Sequence, residues 1–406
     1  MSQLKPSEIF SIFMTVSRAL LLWILLLLKG VALGLLIVFG PIHLAPDEAQ
    51  YWTWSQALDW GYFSKPPAVA WQIASTTFFL GNTELGVRFG ALLIGLAIPL
   101  VCYYLAPLNR QVAFWGALAL AFSPLGFFLS FAATTDGGTV LFFLLAILIL
   151  ARGIEHPEGP NYYLVGLCVF FGALFKWTAF FLWPVAFAFL PLCPLMRKKS
   201  IIWGILISLL ALLPSLYWNW THDFSTFRHV FATLYRTSDR ASSVGNFFDF
   251  LAAQMGLMSP IFFVAFLFGI WVLCWRTEKA SAPLLMLATF PLVLELYLFL
   301  AFFKKIQGNW AVYFLPPAFL IAAWFLITKK ARLWLHIGLY LSIALIAFGV
   351  SIPYLQENNL IPLSYKANPF RQNMGWNKLT TVLVEAGYNP SEDFLFGGQV
   401  SGGEPS

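Results

Sequence analysis

The chain has 406 residues, 60% of them hydrophobic, 18% aromatic and only 10% charged, with a mean hydropathy of +0.77. Polar atoms this sparse cannot cover a water-facing surface, so a soluble globular enzyme is excluded and a polytopic membrane protein is expected. The net charge of +6 is no signal for nucleic acid, because the basic residues fall as short punctuation between apolar runs, as in Arg197–Ser200 and Lys329–Trp334.

About seventeen mixed residues precede the first apolar run, 19–41, which Lys29 interrupts. No small-residue cleavage site follows it, so it reads as a retained span. A first loop, 42–84, comes next, and within it PAVAWQIASTTFFLG is too short to cross and reads as an interfacial helix. Further spans are expected near 85–106, 112–132, 139–151, 162–175, 178–195, 201–218, 257–275, 283–303, 310–328 and 333–353, about eleven in all. A long second loop, 219–256, separates two of them. After Pro353 the chain turns polar, so 1–354 reads as the membrane domain and 355–406 as a short tail that frays at its end. Cys102, Cys168, Cys193 and Cys274 lack the spacing of a metal site or disulfide framework and read as small apolar packing residues. Neither a Walker loop nor a GxGxxG turn is present, and no fixed-period repeat is visible.

An N-terminus inside the cell sends the basic groups at Arg110, Arg152, Arg197–Lys199, Arg276–Lys279 and Lys329–Arg332 to the cytoplasm, as the positive-inside rule requires. The same choice sends the first loop, the turn at Asp136, the loop 219–256 and the segment KKIQGNW (Lys304–Trp310) to the other face, with the tail.

Charge and aromatics concentrate in PDEAQYWTWSQALDWGYFSKPP, Pro46–Pro67. Asp47 and Glu48 open a helical pattern, where acids commonly cap free N–H groups and answer the helix dipole. Neighbouring helical residues point about 100° apart, so one acid can cap while the other faces a cavity. A carboxylate so placed suits a general base, or a group that stabilises positive charge on a sugar ring. Tyr51, Trp60 and Tyr62 read either as part of an interfacial aromatic belt or as the wall of a lipid or sugar pocket. Lys65, stiffened by Pro66 and Pro67, either snorkels or grips a phosphate as a point charge.

Outside this loop, Asp136 in TTDGG is either a turn aspartate or a member of the same face's site. Lys304 and Lys305, followed by Asn309, stand against the positive-inside trend, and the anionic phosphate of a lipid or donor is their natural partner. Arg88, Lys176, Lys29 and Glu295 lie in or beside apolar segments, where charge faces a cavity or a counter-charge. Arg88 and Lys176 are placed near the site; Lys29 and Glu295 receive no role. His222, Asp223, Arg228 and His229 lack zinc-site spacing and read as a solvated loop beside an acceptor groove.

The stretch DEAQYW…LDWGYFSKPP resembles the first external loop of the ArnT-like and protein-O-mannosyltransferase-like (family 39-like) membrane glycosyltransferases of the GT-C class. RFGALLIG, ATTDGG, GALFKWTA, PSLYWNWTHDFSTFRH, QMGLMSP, KKIQGNW and MGWNKL continue the resemblance in order over about 330 residues. The resemblance implies an all-α GT-C bundle of about eleven transmembrane helices, with interfacial helices in the first extracytoplasmic loop. It implies transfer of a sugar from a polyprenyl-phosphate donor to an envelope acceptor, lipid A, another glycolipid or protein, at the outer face of the inner (plasma) membrane. By the same resemblance Asp47 is the catalytic acid, Lys65 contacts the carrier phosphate and Asp136 belongs to the site, with Glu48 carried over beside Asp47.

ArnT-type enzymes carry an acid, reported beside a metal, where this chain has Ser64, so no metal and no cofactor are expected, only the lipid-linked donor as substrate. Many relatives continue into a folded extracytoplasmic domain, whereas a short tail is expected here. The reading is therefore an inverting lipid-dependent glycosyltransferase, with membrane lipid and envelope acceptor as partners and no nucleic acid. Its rivals are a transporter or flippase for a lipid-linked or anionic solute, which predicts repeat symmetry and helices broken at the midplane, and an inactive polyprenyl-phosphate-binding relative.

Overall fold

The computed structural model describes residues 6–235, 245–275, 281–289, 291, 293–364, 368, 370–389, 399–400 and 404–405. The cluster at 276–279, assigned above to the cytoplasm, lies outside them, as does most of the tail's end.

The chain is a bundle of helices. In order these are α1 (Pro6–Phe39), α2 (Pro46–Ser55), α3 (Ala68–Leu80), α4 (Glu84–Leu105), α5 (Arg110–Ala121), α6 (Pro124–Phe131), α7 (Thr135–Gly153), α8 (Tyr162–Phe175) and α9 (Leu182–Phe189). They continue with α10 (Ser200–Leu209), α11 (Leu212–Thr221), α12 (Ser225–Tyr235), α13 (Phe247–Met258), α14 (Pro260–Trp275), α15 (Ala282–Thr289), α16 (Val293–Phe303), α17 (Leu315–Thr328), α18 (Arg332–Glu357) and α19 (Trp376–Glu385). Short 3-10 turns at Trp177–Phe181 and Gly308–Phe314 precede α9 and α17. A two-residue strand pair, Gln399–Val400 with Glu404–Pro405, closes the described tail.

Among the described residues seven helices are long and apolar enough to cross a membrane, or nine if two bent pairs each count as one span. The expected crossings at 162–175 and 178–195 are instead short apolar helices, α8 at 14 residues and the pair Trp177–Phe189. At 1.5 Å per residue a helix that short falls well below the roughly 30 Å hydrocarbon core. The two bent pairs share a cause. The run expected at 112–132 breaks between α5 and α6 by 64°, and α13 meets α14 at 102°. Each break is a Ser-Pro step, Ser123–Pro124 and Ser259–Pro260, where the proline ring drives the preceding residue out of the helical region.

Helices apolar all round take the centre. α7 and α17 bury residues on nearly every side, while α1, α10 and α18 turn Leu27, Trp203, Phe348 and similar side chains outward, as lipid-facing helices do.

The polar segments sort to two ends. At one end Arg110 donates to the carbonyls of Tyr103 and Tyr104, Arg152 to those of Leu105 and Tyr104, and Lys198 to those of Glu158 and Pro160. The two arginines thus also satisfy carbonyls left open where α4 ends. At the other end the first loop meets the segments that follow α11 and α18. The Thr226 hydroxyl donates to Tyr62 O at 2.9 Å, His229 packs on Phe63, and His43 and Asn373 exchange bonds of 2.9 and 3.1 Å. The segment read as a loop at 219–256 carries two helices, α12 and α13, and Asn373 of the tail is bonded to the first loop.

Candidate active site

The helix start at Ala45–Pro46 separates the two acids of the first loop. Pro46 takes the first helical position, where no N–H is needed, so Asp47 and Glu48 fall on the second and third. Glu48 turns inward and is 1% exposed. Its Oε1 accepts from Arg88 Nε at 2.9 Å and Ala133 N at 2.8 Å, and its Oε2 from Arg88 Nη2 at 2.8 Å and Ala45 N at 2.9 Å. Four strong donors fill the carboxylate. Arg88 is wholly buried, with its remaining donors on Ile42 O and His43 O and its guanidinium 4.4 Å from the ring centre of Phe131.

This overturns two of the assignments made from sequence. Glu48 has no lone pair left for a substrate proton, and Arg88 is closed off from any ligand; together they tie α2, α4 and the α6–α7 connection into one unit. Asp47 points the other way. It is exposed, and among the described residues its carboxylate has no hydrogen bond or ion pair.

Asp136 lies in the first turn of α7, 3% exposed, where its Oδ1 accepts from Lys176 Nζ at 2.9 Å and its Oδ2 from Asn309 Nδ2 at 3.1 Å. Lys176 reaches it because the chain is extended there, between α8 and the 3-10 turn. Sequence reasoning placed Lys176 near the site without assigning it a role; the signal was a lysine inside the apolar run GALFKWTA, which requires a counter-charge.

Lys65, from the extended Ser64–Pro67 step, is half-buried, and among the described residues its ammonium has no partner. Burial pushes its pKa below the usual lysine value, Lys176 pushes the same way, and Asp136 and Asp47 pull it back. Tyr51 is buried, and its phenol is pushed up by burial first, then by the charges of Asp47 and Asp136, so it remains a neutral donor close to both acids. Asp47, Lys65, Tyr51, Asp136 and Lys176 thus form one electrostatic neighbourhood, drawn from α2, the loop behind it, α7 and the end of α8.

The remaining sequence candidates sit elsewhere. Tyr62 is buried and stacked on Trp54 at 4.7 Å; its hydroxyl accepts from Asp59 N and donates to Trp54 O, so it braces the loop and is closed to a ligand, which corrects its reading as a substrate contact. Trp60 is half exposed, edge-on to Trp71. Lys304 and Lys305 are exposed in the segment that leads to Asn309.

Among the described residues no three His, Cys, Asp or Glu side chains gather as metal ligands, and Asp136 is already matched by a lysine. An apolar cavity of about 360 Å³ opens beside Asn309, walled by Pro124 and Phe128 of α6, Gly256 and Leu257 of α13, and Val312. A larger one, about 630 Å³, lies at the opposite end beside Arg110, Arg152 and His156, away from both acids.

Residues 64–218 match the family model described as dolichyl-phosphate-mannose-protein mannosyltransferase. The lipid A galacturonosyltransferase RgtD of Rhizobium johnstonii is 30% identical over 330 residues, 79% of this chain and 68% of that protein. The undecaprenyl phosphate-alpha-4-amino-4-deoxy-L-arabinose arabinosyl transferase of Pectobacterium carotovorum is 25% identical over 380 residues, 80% of this chain and 66% of that protein. The chain thus spans about two thirds of the length of these two relatives. In fold it resembles ArnT from Cupriavidus metallidurans bound to undecaprenyl phosphate, with a TM-score of 0.60 at 15% identity over 86% of this chain and 74% of that one. It also resembles the Archaeoglobus fulgidus oligosaccharyltransferase, with a TM-score of 0.52 at 12% identity, over 89% and 54% of the two chains.

Proposed function

The chain belongs to the ArnT-like, protein-mannosyltransferase-like membrane glycosyltransferases of the GT-C class, and from that premise we propose that it moves a sugar from a polyprenyl-phosphate carrier to lipid A or a related envelope acceptor. One observation carries the residue assignment: an exposed carboxylate, Asp47, shares a neighbourhood with the ammonium of Lys65, and neither has a hydrogen-bond or ion-pair partner among the described residues. The other two charges that act on Lys65, Asp136 and Lys176, are paired with each other.

In this reading the carrier phosphate sits on Lys65, whose missing counter-charge it supplies. Lys304 and Lys305 contribute further positive potential at the same face. Asp47 takes the proton of the acceptor hydroxyl as its oxygen attacks the anomeric carbon. The bond from that carbon to the phosphate oxygen breaks, and polyprenyl phosphate leaves with the electron pair, its charge held by Lys65. Attack opposite the leaving group inverts the anomeric centre. If the acceptor atom is a phosphate oxygen it arrives deprotonated, and Asp47 orients it instead. Asp136, fixed by Lys176 and Asn309, and the neutral Tyr51 hydroxyl bound the space for the sugar.

The donor set favours lysine over metal as the means of neutralising the leaving group. Lys176 occupies one oxygen of Asp136, and Ser64 offers no charge beside Lys65. The same reading places the N-terminus in the cytoplasm and this face outside the inner membrane, because the basic end of the bundle is the opposite one.

The test is transfer of radiolabelled sugar from a panel of polyprenyl-phosphate sugars to lipid A and other envelope acceptors in membranes, with Asp47→Asn beside the wild type. Transfer by the wild type, and its loss in the variant at equal protein level, is the expected result. Equal labelling removes Asp47 from the chemistry, and no labelling by the wild type with any donor overturns the assignment.

A further inference from the structure

Lys29 lies in the second half of α1 and is 9% exposed, and among the described residues no carboxylate pairs with it. Its ammonium instead donates to Ala121 O at 2.8 Å, Gly126 O at 2.9 Å and the Ser130 hydroxyl at 2.9 Å. Three N–H groups meet three neutral oxygens, which completes the ammonium's donor set.

The three acceptors share a location. Ala121 is the last residue of α5, and its carbonyl is left open because the chain bends at the Ser123–Pro124 step before Leu125 could donate to it. Gly126 and Ser130 belong to α6, the other arm of the 64° bend. The Ser130 hydroxyl in turn donates to Gly126 O at 2.7 Å. One cation therefore grips both arms of a broken span, at the end of α5 where a helix dipole favours positive charge.

The short α6 carries the consequence to the catalytic loop. Phe131, at its end, lies under Arg88, and Ala133, two residues on, donates its N–H to Glu48. Ser130 packs against Gly95 of α4, two turns beyond Arg88, so closely that a Cβ on Gly95 would collide with it. We propose that Lys29 is a positioning residue for the transfer reaction, fixing the bend between α5 and α6 and so the Ala133–Glu48–Arg88 contact that aims Asp47.

The proposal rests on the function given above and predicts a divided effect. Lys65 reaches the donor from the loop between α2 and α3, which α6 does not carry, so donor capture survives a loosened bend while the reacting geometry does not. The experiment uses purified full chain in lipid nanodiscs with the panel of polyprenyl-phosphate sugars of the transfer assay. It compares the wild type, Lys29→Met, Ser130→Ala and the double variant, with kcat normalised to the folded fraction.

The expected result is a kcat reduced at least about tenfold in Lys29→Met with the donor KM within about twofold, since misplacement of this kind is felt in the transition state. Ser130→Ala should show a smaller loss in kcat, and the double variant no more loss than Lys29→Met alone, as for residues in one network. A folded Lys29→Met with wild-type kcat, or a donor KM that rises in step with the fall in kcat, overturns the proposal and leaves Lys29 a stabilising anchor. If Lys29→Met does not fold, Ser130→Ala decides by the same two parameters. A wild type that transfers nothing refutes the proposed function instead.

Discussion

Lys65 shows how one residue's surroundings set a pH limit on activity. Burial and Lys176 lower its pKa from the ordinary 10.5, and the carboxylates of Asp136 and Asp47 oppose them incompletely. Capture of an anionic carrier phosphate needs the protonated form, so kcat/KM for the donor should fall as pH rises through this lowered value, earlier than an ordinary lysine would dictate. Lys65→Arg should abolish that alkaline limb, because a guanidinium does not deprotonate in the accessible range, while Lys65→Met should lose donor capture at every pH. A donor kcat/KM profile across alkaline pH for the three proteins checks this, and an alkaline limb unchanged in Lys65→Arg assigns it to another group. The Lys-Pro-Pro step made Lys65 legible in the sequence as a stiff, exposed-end cation. What the sequence lacked was the identity of its neighbours, since Asp136 and Lys176 arrive from 71 and 111 residues away.

Between elements, the Glu48–Arg88 clamp does what the sequence assigned to catalysis. The helix-start pattern let one of two adjacent acids cap while the other faces a cavity, whereas in the fold Glu48 both caps Ala45 N and turns inward, and Asp47 is exposed. The pattern could not choose between them, because the choice depends on Arg88 of α4 and the Ala133 N–H beyond α6, two partners that only folding supplies. Glu48→Gln replaces two acceptor oxygens by one and sets an amide N–H₂ against buried donors, leaving the 0%-exposed Arg88 with only the more distant Glu84 carboxylate, at 3.9 Å, as counter-charge. Breaking such a pair costs about 3–5 kcal/mol, so thermal unfolding followed by size-exclusion should show a large loss of stability for Glu48→Gln and little change for Asp47→Asn. Equal stability of all three proteins would return Glu48 to the list of groups available to substrate. The bends were half legible in the same way: Ser123–Pro124 and Ser259–Pro260 are plain in the sequence, but the apolar run continues across each of them and hydropathy alone reads one straight span.

Across the whole molecule, sidedness links the charge pattern to the chemistry. The contacts that join the first loop to α12 and to Asn373, and α7 to the Asn309 segment through Asp136, gather the polar oddities at one end, and the carbonyl-capping arginines occupy the other. Composition made the membrane class legible, and the basic punctuation made this division legible, because both are sums over many residues. The span count was less so, since α8 and the Trp177–Phe189 pair are apolar but short, and a buried helix in a bundle looks like a membrane helix to any hydropathy window. Single cysteines at Asp59 in the first loop and at Glu158 before α8, in a background lacking Cys102, Cys168, Cys193 and Cys274, separate the two orientations. An impermeant maleimide should label the position 59 cysteine in intact spheroplasts and the position 158 cysteine only after permeabilisation. The reverse pattern would place Asp47 and Lys65 in the cytoplasm and require the lipid-linked donor to react on the leaflet where the basic residues would then be absent, against the charge rule that orients the rest of the bundle.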